Sequence, residues 1–283
     1  MIGALDGQLK HSLTPLADGF CLGKSPSWFE GLLWFSDELN QAVHTVNLLG
    51  AMTTLPLPGH APCGLGFRPD GSLLIASADD RRILRYDGET VVPIADLSGV
   101  VSGDLGDMVV DDLGHAYVGC EAARGCGVIV RVDPDDSTTV VADVPGSPAG
   151  MVMTPDGRTL IVAEPSSRRL SAFEIDSDGA LADRRTFADG LDGSPDGITF
   201  DSDGGVWAAI ASARQFQRIV AGGLVTDRID MRDRTPTACT LGGPGCRILF
   251  LMSGEEDRPG QRIGRRRGHL DAVTADIPGV ALP

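Results

Sequence analysis

Short apolar runs paired across a glycine-bearing turn recur six times: PSWFEGLLWFSD (26–37), GLGFRPDGSLLIAS (64–77), DMVVDDLGHAYVGC (107–120), GMVMTPDGRTLIVAE (150–164), DGITFDSDGGVWAAI (196–210) and TLGGPGCRILFLMS (240–253). Each half-unit has strand length and is bounded by Gly, Pro or Asp, so each unit predicts a β-hairpin. The turn glycines Gly31, Gly71, Gly114, Gly157, Gly204 and Gly245 stand 40, 43, 43, 47 and 41 residues apart. Between the hairpins lie RRILRYDGETVVPIADL, CGVIVRVDPDDSTTVVADV, RRLSAFEIDSDGALADRRTFADG and FQRIVAGGLVTDRIDM, each again strand, turn, strand. Four strands at a period near forty residues predict the blades of an all-β propeller.

Six such blades, four antiparallel strands each, account for nearly the whole chain as one domain over residues 1–283. Approximate bounds are 19–58, 59–100, 101–144, 145–190, 191–232 and 233–283. The segment SLTPLADGF (12–20) resembles a blade's fourth strand but precedes the first blade. A closing strand over 12–18 is therefore expected to join the last blade, which removes an exposed sheet edge.

Composition agrees and narrows the function. Thirty-seven glycines and 18 prolines with only 5% aromatic residues suit short strands and tight turns better than a helical bundle. A formal charge of −15 excludes a phosphate-backbone partner, which needs clustered Lys and Arg. No apolar run approaches the roughly 18 residues of a membrane span. The opening MIGALDGQLKHSLTPLADG lacks a secretory pattern, and the six cysteines form no C-x-x-C pair, so free thiols in a cytoplasmic protein are expected. The run Arg265-Arg266-Arg267 reads as solvated loop. Signatures of serine-hydrolase, zincin and nucleotide chemistry (G-x-S-x-G, H-E-x-x-H, a P-loop) do not occur.

In a propeller the entry end of each blade's first strand faces the mouth of the central channel, where ligands bind. Aligning the repeats puts Lys24, Cys63, Gly106, Ala149, Asp196 and Cys239 on that ring. It holds one cation, one carboxylate and no further strong oxygen donor. His60, in the loop PLPGHAP, is a candidate general acid or base. Glu121 and Glu164, at matching strand ends, and Asp104 and Asp107, beside Gly106, are candidate substrate contacts.

The motifs LGKSPSW, PDG with TLIVAE, SPDGI with VWAA, and CTLGGP resemble the SMP-30/gluconolactonase/luciferin-regenerating family from about residue 18 to the end. The resemblance implies six blades, an axial Ca²⁺ or Zn²⁺ and hydrolysis of sugar lactones or related cyclic esters. Residue by residue, the implied metal site is degraded. The family's ligand Glu falls on Lys24, its two Asn positions on Gly106 and Ala149, and a substrate Arg on Asp104. Only Asp196 survives from the ligand set, with Asp107 kept beside Gly106.

The leading expectation is thus a metal-independent enzyme of this type, acting on a lactone-like or carbonyl compound with no cofactor. Lys24 is expected to pair with Asp196 and to stabilise an oxyanion or form an imine, with Asp196 as general acid or base and His60 assisting. Cys63, Asp104, Asp107, Glu121, Ala149, Glu164 and Cys239 would contact the substrate. The alternatives are a lactonase whose Ca²⁺ or Zn²⁺ is held by rearranged ligands including Asp196, and a non-catalytic small-molecule binder. The partner is a small molecule rather than nucleic acid or membrane, and the sequence leaves the oligomeric state open.

Overall fold

The computed structural model describes residues 11–122, 125–255 and 267–280, so residues 1–10, Arg265 and Arg266 lie outside it. The described chain forms six four-stranded antiparallel sheets and no α-helix. This is the six-bladed propeller that the sequence predicts. The inner strands are Gly23–Phe29, Pro62–Phe67, Leu105–Val110, Met151–Met153, Pro195–Phe200 and Arg234–Gly242. Each packs beside the inner strand of the next blade, and the last packs on the first. The N-terminal strand Thr14–Asp18 pairs antiparallel with Gly268–Thr274, completing the sixth blade as its outermost strand. No helix among the described residues is long and apolar enough to cross a membrane.

The core lies in the seams. Six hydrophobic clusters each join two neighbouring blades: Leu74, Ile83, Met108 and Val118 fill one seam, and Trp207, Phe216, Leu249 and Leu251 another. Since successive strand residues face opposite sides of a sheet, a strand flanked by two seams is covered on both faces and is mostly apolar. Leu73–Ser77 and Val206–Ile210 accordingly are buried throughout. The outer strand Leu181–Ala188, with only one neighbour, is mostly exposed and carries Asp183, Arg184 and Arg185.

Glycine lets the inner strands converge on the axis. A Cβ on Gly150 would stand 2.5 Å from the Asp196 carbonyl oxygen and 2.7 Å from Gly197 Cα. On Gly64 it would stand 2.7 Å from both the Gly106 carbonyl oxygen and Met108 N. The recurring glycine after the axial residue is therefore a packing requirement.

Candidate active site

At the mouth reached by the inner strands' entry ends lies a cavity of about 240 Å³. Lys24, Cys63, Gly106, Ala149 and Asp196 line it. The strand register explains why. In the first, second, third and fifth blades the pairing of inner and second strand is interrupted between Lys24 and Ser27, Pro62 and Leu65, Leu105 and Met108, and Pro195 and Ile198. Such bulges release a side chain from the ladder and re-aim it; here they aim the axial residues into the cavity.

In the sixth blade the interruption falls between Pro236 and Ala238, so Thr237 takes the axial place. Cys239 lies past the bulge, is 2% exposed in the seam between blades five and six, and is absent from the cavity wall. Its Sγ faces the Trp207 and Gly197 carbonyl oxygens at 3.5 and 3.9 Å. Its expected axial contact is corrected to Thr237. The spacing contained the signal, since Cys63, Gly106, Ala149 and Asp196 each stand eight residues before their turn glycine, as Thr237 does before Gly245.

Lys24 lines the cavity as expected, but its ion pair is with Glu38 (Nζ to Oε2 2.7 Å) rather than with Asp196. Glu38 opens a short 3-10 turn, Glu38–Asn40, directly after the second strand of the first blade. Burial alone would lower the ammonium's pKa, but the Glu38 carboxylate, through charge and hydrogen bond, and the Asp196 carboxylate oppose it and the value is raised. Lys24 is therefore held as an ammonium, and the free amine that an imine requires is disfavoured.

Asp196 lies deep in the ring, and burial pushes its carboxyl up to about 6, with Lys24 opposing and Asp107 adding to the shift. No hydrogen bond reaches its carboxylate from the described residues. Asp107, which lines the same cavity, accepts hydrogen bonds from the Ser25 hydroxyl, its neighbour Met108 N (2.9 Å) and Met151 N (3.2 Å). Burial still raises its pKa against these donors. Ser25, unnoticed in the sequence, has a left-handed φ of 45° in the first blade's bulge. A non-glycine residue held there marks a site defined by its surroundings.

The other predicted residues divide. Cys63 lines the wall, and burial drives its thiol up to about 12, Lys24 only partly opposing; it is a neutral spacer. Asp104 and Glu121 stand together at the rim, with Glu121 N donating to the Asp104 carbonyl oxygen (2.9 Å) and Ser147 Oγ to Glu121 Oε1 (3.1 Å). Glu164 is elsewhere. It is fully buried and takes Arg184 Nη2 at 2.6 Å. Val162 pairs with Met151 as Val118 pairs with Met108, so Glu164 matches Cys120 and not Glu121. That one-residue offset reverses the face. His60 also leaves the site: its Nδ1 binds Asp80 Oδ2 at 2.9 Å, in the turn after the second blade's second strand, and it does not line the cavity.

The donor set does not fit a Ca²⁺ or Zn²⁺ site. Ca²⁺ takes 6–8 oxygens and Zn²⁺ three or four protein donors. Among the described residues no three His, Cys, Asp or Glu side chains converge to hold a metal ion. Asp107 is engaged by three donors, and the Lys24 ammonium occupies the wall beside Asp196.

Comparison with known proteins agrees with this architecture. The family described as "SMP-30/Gluconolactonase/LRE-like region" matches residues 22–255. A 6-deoxy-6-sulfogluconolactonase of Pseudomonas putida is 28% identical over 274 residues, covering 93% of this chain and 94% of its own. A pentonolactonase of Haloferax volcanii is 27% identical over 278 residues, covering 95% and 92%. Among solved structures, a luciferin-regenerating enzyme superposes with a TM-score of 0.82 at 18% identity, over 96% of this chain and 98% of its own, which shows a shared fold.

Proposed function

Because the chain belongs to the SMP-30/gluconolactonase/LRE-like family, we propose that it hydrolyses a lactone or closely related cyclic ester in the axial cavity without a metal. The observation that carries this reading is the Lys24 ammonium, fixed by Glu38 on the wall that Asp196 also lines. Asp196, with a pKa of about 6, is mostly ionised at neutral pH and is suited both to accept and to return a proton. It takes a proton from water as the oxygen bonds to the lactone carbonyl carbon. The carbonyl electron pair moves onto oxygen, beside the Lys24 ammonium, which stabilises that charge. Collapse re-forms the carbonyl and breaks the ring C–O bond, and Asp196 returns its proton to the departing alkoxide. One water is consumed and a hydroxy acid leaves.

Hydrolysis of D-glucono-1,5-lactone, followed with a pH indicator before and after exhaustive chelation, tests the proposal. Turnover indifferent to the chelator, and reduced by roughly 10²–10³ in Lys24→Met, is expected. Activity that chelation removes and a stoichiometric divalent cation restores would transfer the electrophilic role from Lys24 to that cation. The six cysteines are all free, which supports a reducing, cytoplasmic setting.

A further inference from the structure

The Lys24–Glu38 ion pair does not set its own geometry. Both side chains are about a third exposed. A pair in such contact with water gains little, while the long lysine chain loses rotamer freedom. Asp196 lines the same cavity and also attracts the ammonium. What keeps Lys24 on Glu38 therefore lies in the backbone that carries the two residues. There a buried carboxylate joins the segments. Asp37 is fully buried, ends the second strand and directly precedes Glu38. Its Oδ2 accepts hydrogen bonds from Cys21 N at 2.8 Å and Asn40 Nδ2 at 2.7 Å, and its Oδ1 from Leu22 N at 3.1 Å. His44 Nε2 stands 3.5 Å from the same Oδ2. Cys21 and Leu22 lead into the inner strand that carries Lys24, and Asn40 ends the turn that Glu38 opens.

The repeat shows that the turn itself does not need this tie. The same 3-10 turn follows the second strand of the fourth and fifth blades, as Pro165–Ser167 and Ala211–Ala213. In all three blades one backbone hydrogen bond closes it: Gln41 N to Glu38 O, Arg168 N to Pro165 O and Arg214 N to Ala211 O. The places of Asp37 and Asn40 are taken there by Glu164 and Ser167, and by Ile210 and Ala213. Glu164 turns instead to Arg184, and Ile210 and Ala213 have no polar side chain. The extra bond thus occurs in the blade whose turn opens with a cavity-lining acid, where Pro165 and Ala211 stand in the other two. Resting on the lactonase reading, we infer that Asp37 and Asn40 are positioning residues. Their hydrogen bond holds the Glu38 turn against the entry of the inner strand. The Lys24 ammonium is thereby kept on Glu38, placed for the developing oxyanion, and off Asp196, which stays free as the base.

Asn40→Ala in the full chain tests this, since Asn40 is exposed and outside the cavity wall, so the fold survives its loss. Lys10 and Lys24 are the only lysines. Protein labelled with ¹⁵Nζ-lysine therefore gives two ammonium signals, which Lys24→Met assigns. In Asn40→Ala the Lys24 signal is expected to broaden or shift as the ammonium leaves its fixed partner. With D-glucono-1,5-lactone, kcat should fall roughly five- to twentyfold while KM stays within about twofold. Added to Glu38→Gln, Asn40→Ala should have no further effect, because both act through one ion pair. Leu39→Ala, in the same turn and 51% exposed, should change none of these. An unchanged kcat or Lys24 signal in Asn40→Ala, or a loss that adds to that of Glu38→Gln, overturns the inference and leaves the lactonase reading standing. If no lactone turns over, the lactonase reading fails by itself and the spectrum decides the rest. A Lys24 signal altered by Asn40→Ala and not by Leu39→Ala upholds the clamp, and one unaltered by both overturns it.

Discussion

Replacing Asp196 with Asn should stabilise the protein while abolishing its turnover, and the stabilisation should depend on pH in a prescribed way. The carboxyl's ordinary value of 3.8 is raised to about 6 by burial, Lys24 only partly compensating. Between those values the folded state binds more protons than the unfolded state, so stability falls as pH rises from about 4 to 6. Above 6 the full cost of the buried charge is present. A shift of about two units corresponds to ~3 kcal/mol, and water in the cavity reduces this to ~1–3 kcal/mol. Asn keeps the shape and never ionises. At pH 8 the variant should melt roughly 2–8 °C above wild type, and the gap should close towards pH 4. Thermal melts of both proteins from pH 4 to 8, run beside lactone hydrolysis, decide the matter. A melting difference constant with pH, or a variant less stable at pH 8, refutes the claim that Asp196 is a destabilised charge. Retained turnover in Asp196→Asn refutes its role as base.

Cysteine reactivity should follow exposure. Brief alkylation at pH 8 with peptide mass analysis should modify Cys126, which is exposed, and spare Cys63, Cys120 and Cys239, whose burial raises their thiol pKa values. Gly150→Ala forces a methyl against the Asp196 carbonyl oxygen and Gly197 Cα, and should cost ~1–3 kcal/mol in urea titration as well as lowering kcat. Gly99→Ala meets nothing within 4 Å and should leave both unchanged. Deleting residues 1–18 strips the strand paired with Gly268–Thr274. The ring then melts at least ~5 °C lower and self-associates on light scattering through the bared edge.

The propeller was legible because two constraints repeat six times. Turn glycines need left-handed φ, as at Gly31 (80°), Gly71 (84°) and Gly204 (80°), and second strands wedged between two seams are buried on both faces and read as mostly apolar runs. The axial residues of the first five blades followed from the same repeat. What failed was register, and the sizes of the errors are informative. Cys239 is two residues from the axial place, which keeps its face but moves it past the bulge into the seam. Glu164 is one residue from the position matching Glu121, which turns it into the blade, where Arg184 must neutralise it. Sequence alignment by turn motifs has an error of one or two residues. In a strand that is the whole difference between cavity, seam and opposite face.

Partners found only in three dimensions were illegible for another reason. Asp107 and Ser25 are 82 residues apart, and nothing local in either segment announces their hydrogen bond. Glu38 lies 14 residues from Lys24, on a turn of the same blade. A cation introduced on the axis can be satisfied by any acid within reach of its long side chain, and the nearest is on its own hairpin rather than across the ring. That choice has a chemical consequence. With Glu38 satisfying Lys24, Asp196 keeps a free carboxylate and a pKa of about 6. A direct Lys24–Asp196 pair would have held that carboxyl low and occupied its oxygens, leaving a weaker base. The pairing within the first blade is what leaves the fifth blade's aspartate available to a ligand.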